Sequence, residues 1–257
     1  MKTTWQGRFV ITIVWALCSF GLGQPQDEAG SEPGPTVLIT GANRGLGLEF
    51  ARQFHKAGYQ VIATARTPDA ADELNALGVR VEQLDVADAG SVSGLAERLG
   101  GRSIDILINN AGITARIRSL EDVDFSTIER IIAVNTLGPM RVTQALLEGL
   151  RKGNRKIIVN ITSSMGSIER NTRGGGYGYR ESKAALNMFT RTIAAELRPE
   201  GFRCITMSPG WVKTDMGGPN ARLTPAESIA GMIKVIDGLT AEDSGEFFNH
   251  NGERMPW

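Results

Sequence analysis

The chain has 257 residues, 41% of them apolar, and its 28 basic and 28 acidic residues cancel. That length suits one α/β domain with a sizeable core. The neutral balance argues against a nucleic-acid binder held by bulk charge. At the N-terminus, Lys2 and Arg8 precede an uncharged run from Phe9 to Gly23, rich in Val, Ile and Leu, with small residues Gly21 and Gly23 at its end. Spanning a bilayer takes about 20 apolar residues, so residues 1–23 predict a secretory signal peptide. An uncleaved anchor, or a start site set too far upstream, is the competing reading. The expected location is accordingly periplasmic or secreted, membrane-anchored, or cytoplasmic if the segment is not a working signal. Residues 24–35, QPQDEAGSEPGP, are a polar, Pro/Gly-rich stretch expected to be disordered. The folded domain is expected over 36–257. Cys18 falls in the removable segment, which leaves Cys204 without an intrachain partner and with the character of a small core residue.

From Thr36 onward, strand-like and helix-like patterns alternate. Strands are predicted at 36–40, 60–65, 79–84, 104–110, 156–162, 202–208 and 245–250. Helices are predicted at 46–56, over a long stretch of 125–152, at 181–198 and at 225–239. This alternation implies crossover units and a parallel sheet covered on both faces. The expected fold is therefore a single-domain, Rossmann-type, doubly wound α/β sheet of about seven strands.

The first strand runs into Gly41-Ala42-Asn43-Arg44-Gly45-Leu46-Gly47, and a helix follows. Gly41 permits the sharp turn, Gly45 lets backbone approach a pyrophosphate, and Gly47 lets helix and strand pack closely. The helix N-terminus supplies free N–H groups and positive partial charge for the anion. After the second strand, where an NAD enzyme carries Asp or Glu for the ribose 2′-hydroxyl, stand Ala65 and Arg66. A guanidinium there can take a 2′-phosphate bidentately, with Arg44 assisting from the loop. The predicted cofactor is NADP(H); the bland alternative makes Arg66 a solvated loop residue.

Tyr179 and Lys183 are four apart at the start of a predicted helix and project from one face. A free Tyr has a pKa of about 10. A neighbouring ammonium favours the tyrosinate, so Lys183 is expected to bring the phenol of Tyr179 toward neutrality for general acid/base work. Tyr177 lies on a different face and is read as a pocket or turn residue. His55 and His250 have no partner at metal-ligand spacing, and no metal site is expected. Asn160-Ile161-Thr162 is a glycosylation sequon in a strand expected to be buried.

The G-x-x-x-G-x-G turn and the Tyr-x-x-x-Lys pair together resemble the short-chain dehydrogenase/reductase family across essentially all of 36–257. The motifs follow family order: Thr40–Gly47, Asn109-Asn110-Ala111-Gly112, Asn135, Ser163, Tyr179/Lys183 and Pro209-Gly210. The stretches TGANRGLG, YRESKAALN and PGWVKTDM are most similar to small carbonyl reductases of the sniffer and C-factor type.

The resemblance implies roles for these residues. Ser163, three before Gly166, would steady the substrate oxygen, rather than its neighbour Ser164. Tyr179 would pass the proton. Lys183 would hold the ribose hydroxyls, and Asn135, mid-helix, would position a water linking Lys183 to solvent. Cofactor contacts would come from Gly41, Asn43, Arg44, Gly45, Leu46 and Gly47, from Arg66, and from Asp85 and Val86 beside the adenine. Asn110, Ala111 and Gly112, then Pro209, Gly210, Val212 and Thr214 toward the nicotinamide, would complete the set. A short segment from Asp215 to Leu223 replaces the usual substrate lid and implies an open pocket, with Trp211 and Met216 beside it. Gly174–Gly176 would shape its rim.

The expected activity is NADP(H)-dependent interconversion of a carbonyl and an alcohol on a small molecule, with a homodimer as the family's common assembly. Membrane association would come only through the N-terminal segment. The alternative is an exported, C-factor-like signalling or cofactor-sensing protein with little turnover.

Overall fold

The computed structural model describes residues 1–4 and 34–257. The expected signal peptide and linker fall almost wholly outside the described residues. The chain divides into two units, Met1–Glu32 and Pro33–Trp257, and every element below belongs to the second. Among the described residues, no helix is long and apolar enough to cross a membrane.

Seven strands form one parallel sheet. They are β1 (Thr36–Ile39), β2 (Gln60–Ala65), β3 (Arg80–Gln83), β4 (Ile106–Asn109), β5 (Ile157–Ile161), β6 (Arg203–Ser208) and β7 (Phe247–Asn249), in the order β3-β2-β1-β4-β5-β6-β7. The chain winds outward from β1 to β3, returns to the centre at β4, and winds outward the other way. The reversal between β1 and β4 opens a crevice at their carboxyl ends, where this topology binds ligands. Side chains alternate across the sheet. Val37 and Ile39 of β1 pack on one face with Phe50 and Phe54 of helix α1 (Gly45–Lys56), while Leu38 joins the core of the other face.

The helices cover both faces, as an all-parallel sheet requires. Besides α1 they are α2 (Asp72–Asn75), α3 (Ala89–Leu99), α4 (Phe125–Ile132), α5 (Gly138–Lys152), α6 (Tyr179–Leu197) and α7 (Pro225–Asp237). Ile229, Met232 and Ile236 of α7 share the core of α1. Val92, Leu95 and Leu99 of α3, Val142, Leu146 and Leu150 of α5, and Ile193 of α6 fill the opposite core. The sequence reading passed over α3. Its signals are present: Asp88 caps it by accepting a bond from the Ser91 N–H (2.6 Å), and apolar residues recur at three- and four-residue intervals.

The long helix expected over 125–152 is not one helix. A π-helical turn, Ala133–Leu137, separates α4 from α5. Such turns occur often at functional sites, and here the turn carries Asn135.

A buried polar chain links the central strands to the helices. Asn109 Nδ2 donates to Thr143 Oγ1 (3.2 Å) and Asn160 Oδ1 (2.8 Å), and Asn160 Nδ2 donates to Thr190 Oγ1 (2.8 Å). Asn160 is fully buried, so the sequon is closed to modification in the folded state. Cys204 is likewise fully buried, and burial pushes its thiol up to about 12. It is inert packing.

Candidate active site

Because the strands are parallel, the segments that follow them emerge at one edge of the sheet. The turn after β1 is the first. Gly41 has φ +65°, and a Cβ there would lie 2.9 Å from the Ala111 Cα. Only glycine fits such a conformation and approach. A Cβ on Gly47 would lie 2.6 Å from Asn110 Nδ2 and 2.8 Å from the Ala42 Cα, so α1 sits tightly against the strand ends. Asn110 ties this corner together. Its Nδ2 donates to the carbonyls of Thr40 (2.9 Å) and Gly41 (3.1 Å). The N–H groups of Asn110 and Ala111 both donate to Thr40 Oγ1 (3.0 Å each).

Helix α1 starts without a side-chain cap, and its first backbone bond runs from the Leu48 N–H to the Arg44 carbonyl (3.3 Å). The N–H groups of Gly45, Leu46 and Gly47 therefore have no partner among the described residues. Uncapped N–H groups beside a glycine turn form an anion cradle. Arg44 and Arg66 are exposed nearby in sequence, at the turn and directly after β2. Arg44 meets Asp215 at 3.4 Å, a pair open to solvent on both sides. Asn43 is exposed. After β3, Asp85 Oδ1 accepts from the Ala87 N–H (2.9 Å), and Val86 is buried against Gly138, where a Cβ would meet it at 2.8 Å.

The other end of the site is built from half-buried Tyr179 and Ser163 with buried Lys183 and Asn135 behind them. Tyr179 is the first residue of α6 and Ser163 follows β5. Both line one cleft, and the Ser163 hydroxyl accepts from the Met165 N–H (3.1 Å). Lys183, one turn along α6, is buried with its Nζ 5.8 Å from the centre of the Tyr179 ring. It donates to the Ile161 carbonyl (2.8 Å). Burial alone brings the Lys183 ammonium down to about 8.

For Tyr179 the expected lowering by Lys183 is not what the structure gives. Burial raises the phenol above its ordinary value, and the opposing influence is the Ser163 hydrogen bond. The reason is geometric: the ammonium donates to the Ile161 carbonyl and stands 5.8 Å from the ring centre.

Asn135 is fully buried. Its Nδ2 donates to the Ile113 carbonyl (2.9 Å) and Ser182 Oγ (3.0 Å), and its Oδ1 accepts from the Ile113 N–H (2.8 Å). It thus pins the loop after β4 to α6. Asn135 sits in the π turn rather than in a regular helix, and its side chain reaches Ile113. Gly112 leaves room between them, since a Cβ there would touch both Asn135 Oδ1 (3.4 Å) and Lys183 Nζ (3.5 Å).

A cleft of about 420 Å³ opens over Ser163 and Tyr179. It brings together the predicted residues Leu46, Ser163, Tyr179, Pro209, Gly210, Val212 and Thr214. Trp211 and Met216 line it as expected, both half-exposed, with Trp211 Nε1 donating to the Gly217 carbonyl (2.8 Å). Gly176 forms part of the rim. Lys183 and Asn135 lie behind the lining, and Arg66, Asp85, Val86 and Asn110–Gly112 sit at strand ends beyond it. Tyr177 precedes α6 and belongs to the turn.

Sequence reasoning missed the loop at residues 114–118, which forms one wall and carries Arg116 and Arg118. It also missed Ser182, the second partner of Asn135. The alternation of polar and apolar residues from Thr114 to Arg118 was its only local signal.

A doubly wound parallel sheet with a glycine-rich anion cradle after β1, and with half-buried Tyr179 and Ser163 backed by buried Lys183 and Asn135 at the same edge, defines a dinucleotide-dependent oxidoreductase architecture. The comparisons agree. The short chain dehydrogenase profile matches residues 35–223, and the chain belongs to that family. It is 39% identical, over 86% of its length and 99% of the relative, to the 1-hydroxy-2-glutathionyl-2-methyl-3-butene dehydrogenase of Rhodococcus sp. strain AD45. It is 51% identical to the C-signal of Myxococcus xanthus over 60% of this chain and 93% of that one. Among solved structures it is similar to the NADPH-bound carbonyl reductase from chicken fatty liver, with 37% identity, a TM-score of 0.82, and 87% and 99% of the two chains covered. It is also similar to the carbonyl reductase Sniffer of D. melanogaster, with 31% identity, a TM-score of 0.84, and 87% and 100% covered.

Proposed function

We propose that the protein is an NADP(H)-dependent oxidoreductase that interconverts a carbonyl and an alcohol. The observation that carries the proposal is that Ser163 and Tyr179 line one cleft together with Leu46, Pro209, Gly210, Val212 and Thr214. The residues fit the cofactor. The free N–H groups of Gly45, Leu46 and Gly47 would hold the pyrophosphate, and Arg66 with Arg44 would hold the 2′-phosphate in place of the carboxylate that selects NAD. Pro209, Gly210, Val212 and Thr214 would face the nicotinamide end. When bound, the cofactor supplies or takes up a hydride at the reacting carbon.

The remaining work falls to the chain. Ser163 donates a hydrogen bond to the carbonyl oxygen, where negative charge develops. Tyr179, kept protonated by burial, donates its proton to that oxygen and takes it back in the reverse direction. Lys183 lies close to its midpoint at mildly alkaline pH, which suits a group that returns a proton to Tyr179. Asn135 holds the Ile113 backbone and Ser182 beside Lys183, and would position a water that links Lys183 to solvent.

The test is consumption of NADPH and of NADH by the full chain with a panel of aldehydes and ketones. The proposal expects turnover with NADPH and at least about a tenfold preference over NADH. Equal affinity for the two cofactors, or no turnover of any carbonyl, contradicts it.

A second reading rests on the likeness to the C-signal of Myxococcus xanthus. In it the protein is an exported signalling or cofactor-sensing protein that needs no turnover. Full biological effect from a Tyr179→Phe protein would favour that reading over the first.

A further inference from the structure

The wall of the cleft formed by residues 114–118 is fixed at both ends. At one end, Asn135 holds the backbone of Ile113 through two hydrogen bonds (2.8 and 2.9 Å). At the other, the Gly176 N–H donates to the Ile117 carbonyl (2.8 Å), and the Ile117 side chain is buried. Two guanidiniums, Arg116 and Arg118, stand on this fixed strip, exposed, and both line the cleft.

Neither has a hydrogen bond or ion pair among the described residues. The contrast with Arg180 is direct: its guanidinium is spent on the carbonyls of Gly175 (2.8 Å), Gly174 (3.4 Å) and Met165 (3.5 Å) and so braces the rim. No carboxylate lines the cleft. The nearby Asp215 is engaged by Arg44. The rest of the lining is apolar or neutral, supplied by Ile117, Met165, Trp211 and Met216 among others. Two unpaired cations at the mouth of a largely apolar cleft create a field that favours an anion and offer fork geometry for a carboxylate or phosphate.

Resting on the carbonyl/alcohol reading above, we infer that the substrate carries an anionic group, a carboxylate or a phosphate, which Arg116 and Arg118 hold while the carbonyl reaches Ser163 and Tyr179. The two arginines are specificity-determining residues and take no part in the proton transfer.

The experiment compares matched pairs with saturating NADPH: oxo-acids of increasing chain length against their methyl esters, and 4-formylphenyl phosphate against 4-methoxybenzaldehyde. The wild-type protein is expected to show a kcat/KM for the charged member about tenfold or more above the neutral one at one chain length, the size of one charge-assisted contact. The phosphate and acid arms report which anion fits. In the Arg116→Gln/Arg118→Gln double variant the charged-to-neutral ratio should fall by about the same factor, and 0.5 M salt should reduce the wild-type ratio.

Turnover of esters with no preference for acids or phosphate overturns the inference alone. So does a fall in the double variant shared equally by charged and neutral substrates, or a matching rise in the KM for NADPH, which would assign the arginines to the cofactor. No turnover of any compound overturns the reductase reading and the inference with it.

Discussion

At the Gly41–Gly47 turn the groups available to a ligand are backbone N–H bonds and exposed guanidiniums, whereas at Tyr179 they are two half-buried hydroxyls backed by buried, hydrogen-bonded side chains. The first end is shaped by what is missing: side chains at Gly41 and Gly47, and a cap on α1. The second is shaped by what is satisfied: Asn135, Lys183 and Ser182 are all buried and all hydrogen-bonded. The difference separates binding from chemistry. Changes at the turn should act on affinity and folding, and changes around Tyr179 on turnover.

The predictions that break or sharpen this contrast run from large to small. Tyr179→Phe removes the proton donor and leaves the ring's packing in place. Its kcat should fall about a thousandfold, within the range for loss of a general acid, as read from NADPH consumption. Gly47→Ala forces a Cβ against Asn110 and the Ala42 backbone. Denaturant unfolding should show a loss of about 3 kcal/mol, with NADPH affinity falling in parallel.

Arg66→Glu places a carboxylate where the 2′-phosphate would sit. The KM for NADPH should rise roughly 10- to 100-fold, while that for NADH moves little and kcat with saturating cofactor is retained.

Lys183→Met gives the smallest effect on stability, and one with a pH signature. The folded lysine titrates at about 8, below its unfolded value of 10.5. Below pH 8 the fold must bury a charge that burial opposes, and between about 8 and 10.5 the unfolded chain still binds the proton that the folded one has released. Wild-type stability from this group therefore rises with pH across that window. The variant should be more stable than wild type at pH 7 by roughly 1–3 kcal/mol, with the gain shrinking toward pH 10.5. Its turnover should be severely reduced at every pH.

The contrast also explains what the sequence disclosed. All seven strands and the Gly-rich turn were legible because they depend on local pattern: β-branched runs, and glycines at fixed offsets. The same holds for Tyr179 and Lys183, whose spacing alone puts them on one helical face. What was not legible depended on contacts distant in sequence. The π turn carries Asn135, whose side chain bonds Ile113, 22 residues away. The direction of the Tyr179 shift follows from burial and from Lys183 binding the Ile161 carbonyl, and neither shows in a Tyr-x-x-x-Lys spacing. Helix α3 has a readable cap at Asp88, but Gly90, Ser91, Ser93 and Gly94 weaken its helical propensity. The cleft-lining arginines belong to a loop with no motif at all.

The most direct test is to measure NADPH affinity and turnover in the same Tyr179→Phe preparation, by fluorescence titration and by the decay of NADPH absorbance with a carbonyl substrate. The account predicts a dissociation constant within about threefold of wild type together with nearly complete loss of turnover. Turnover that survives, or affinity that collapses with it, would contradict the division of labour between the two ends of the cleft.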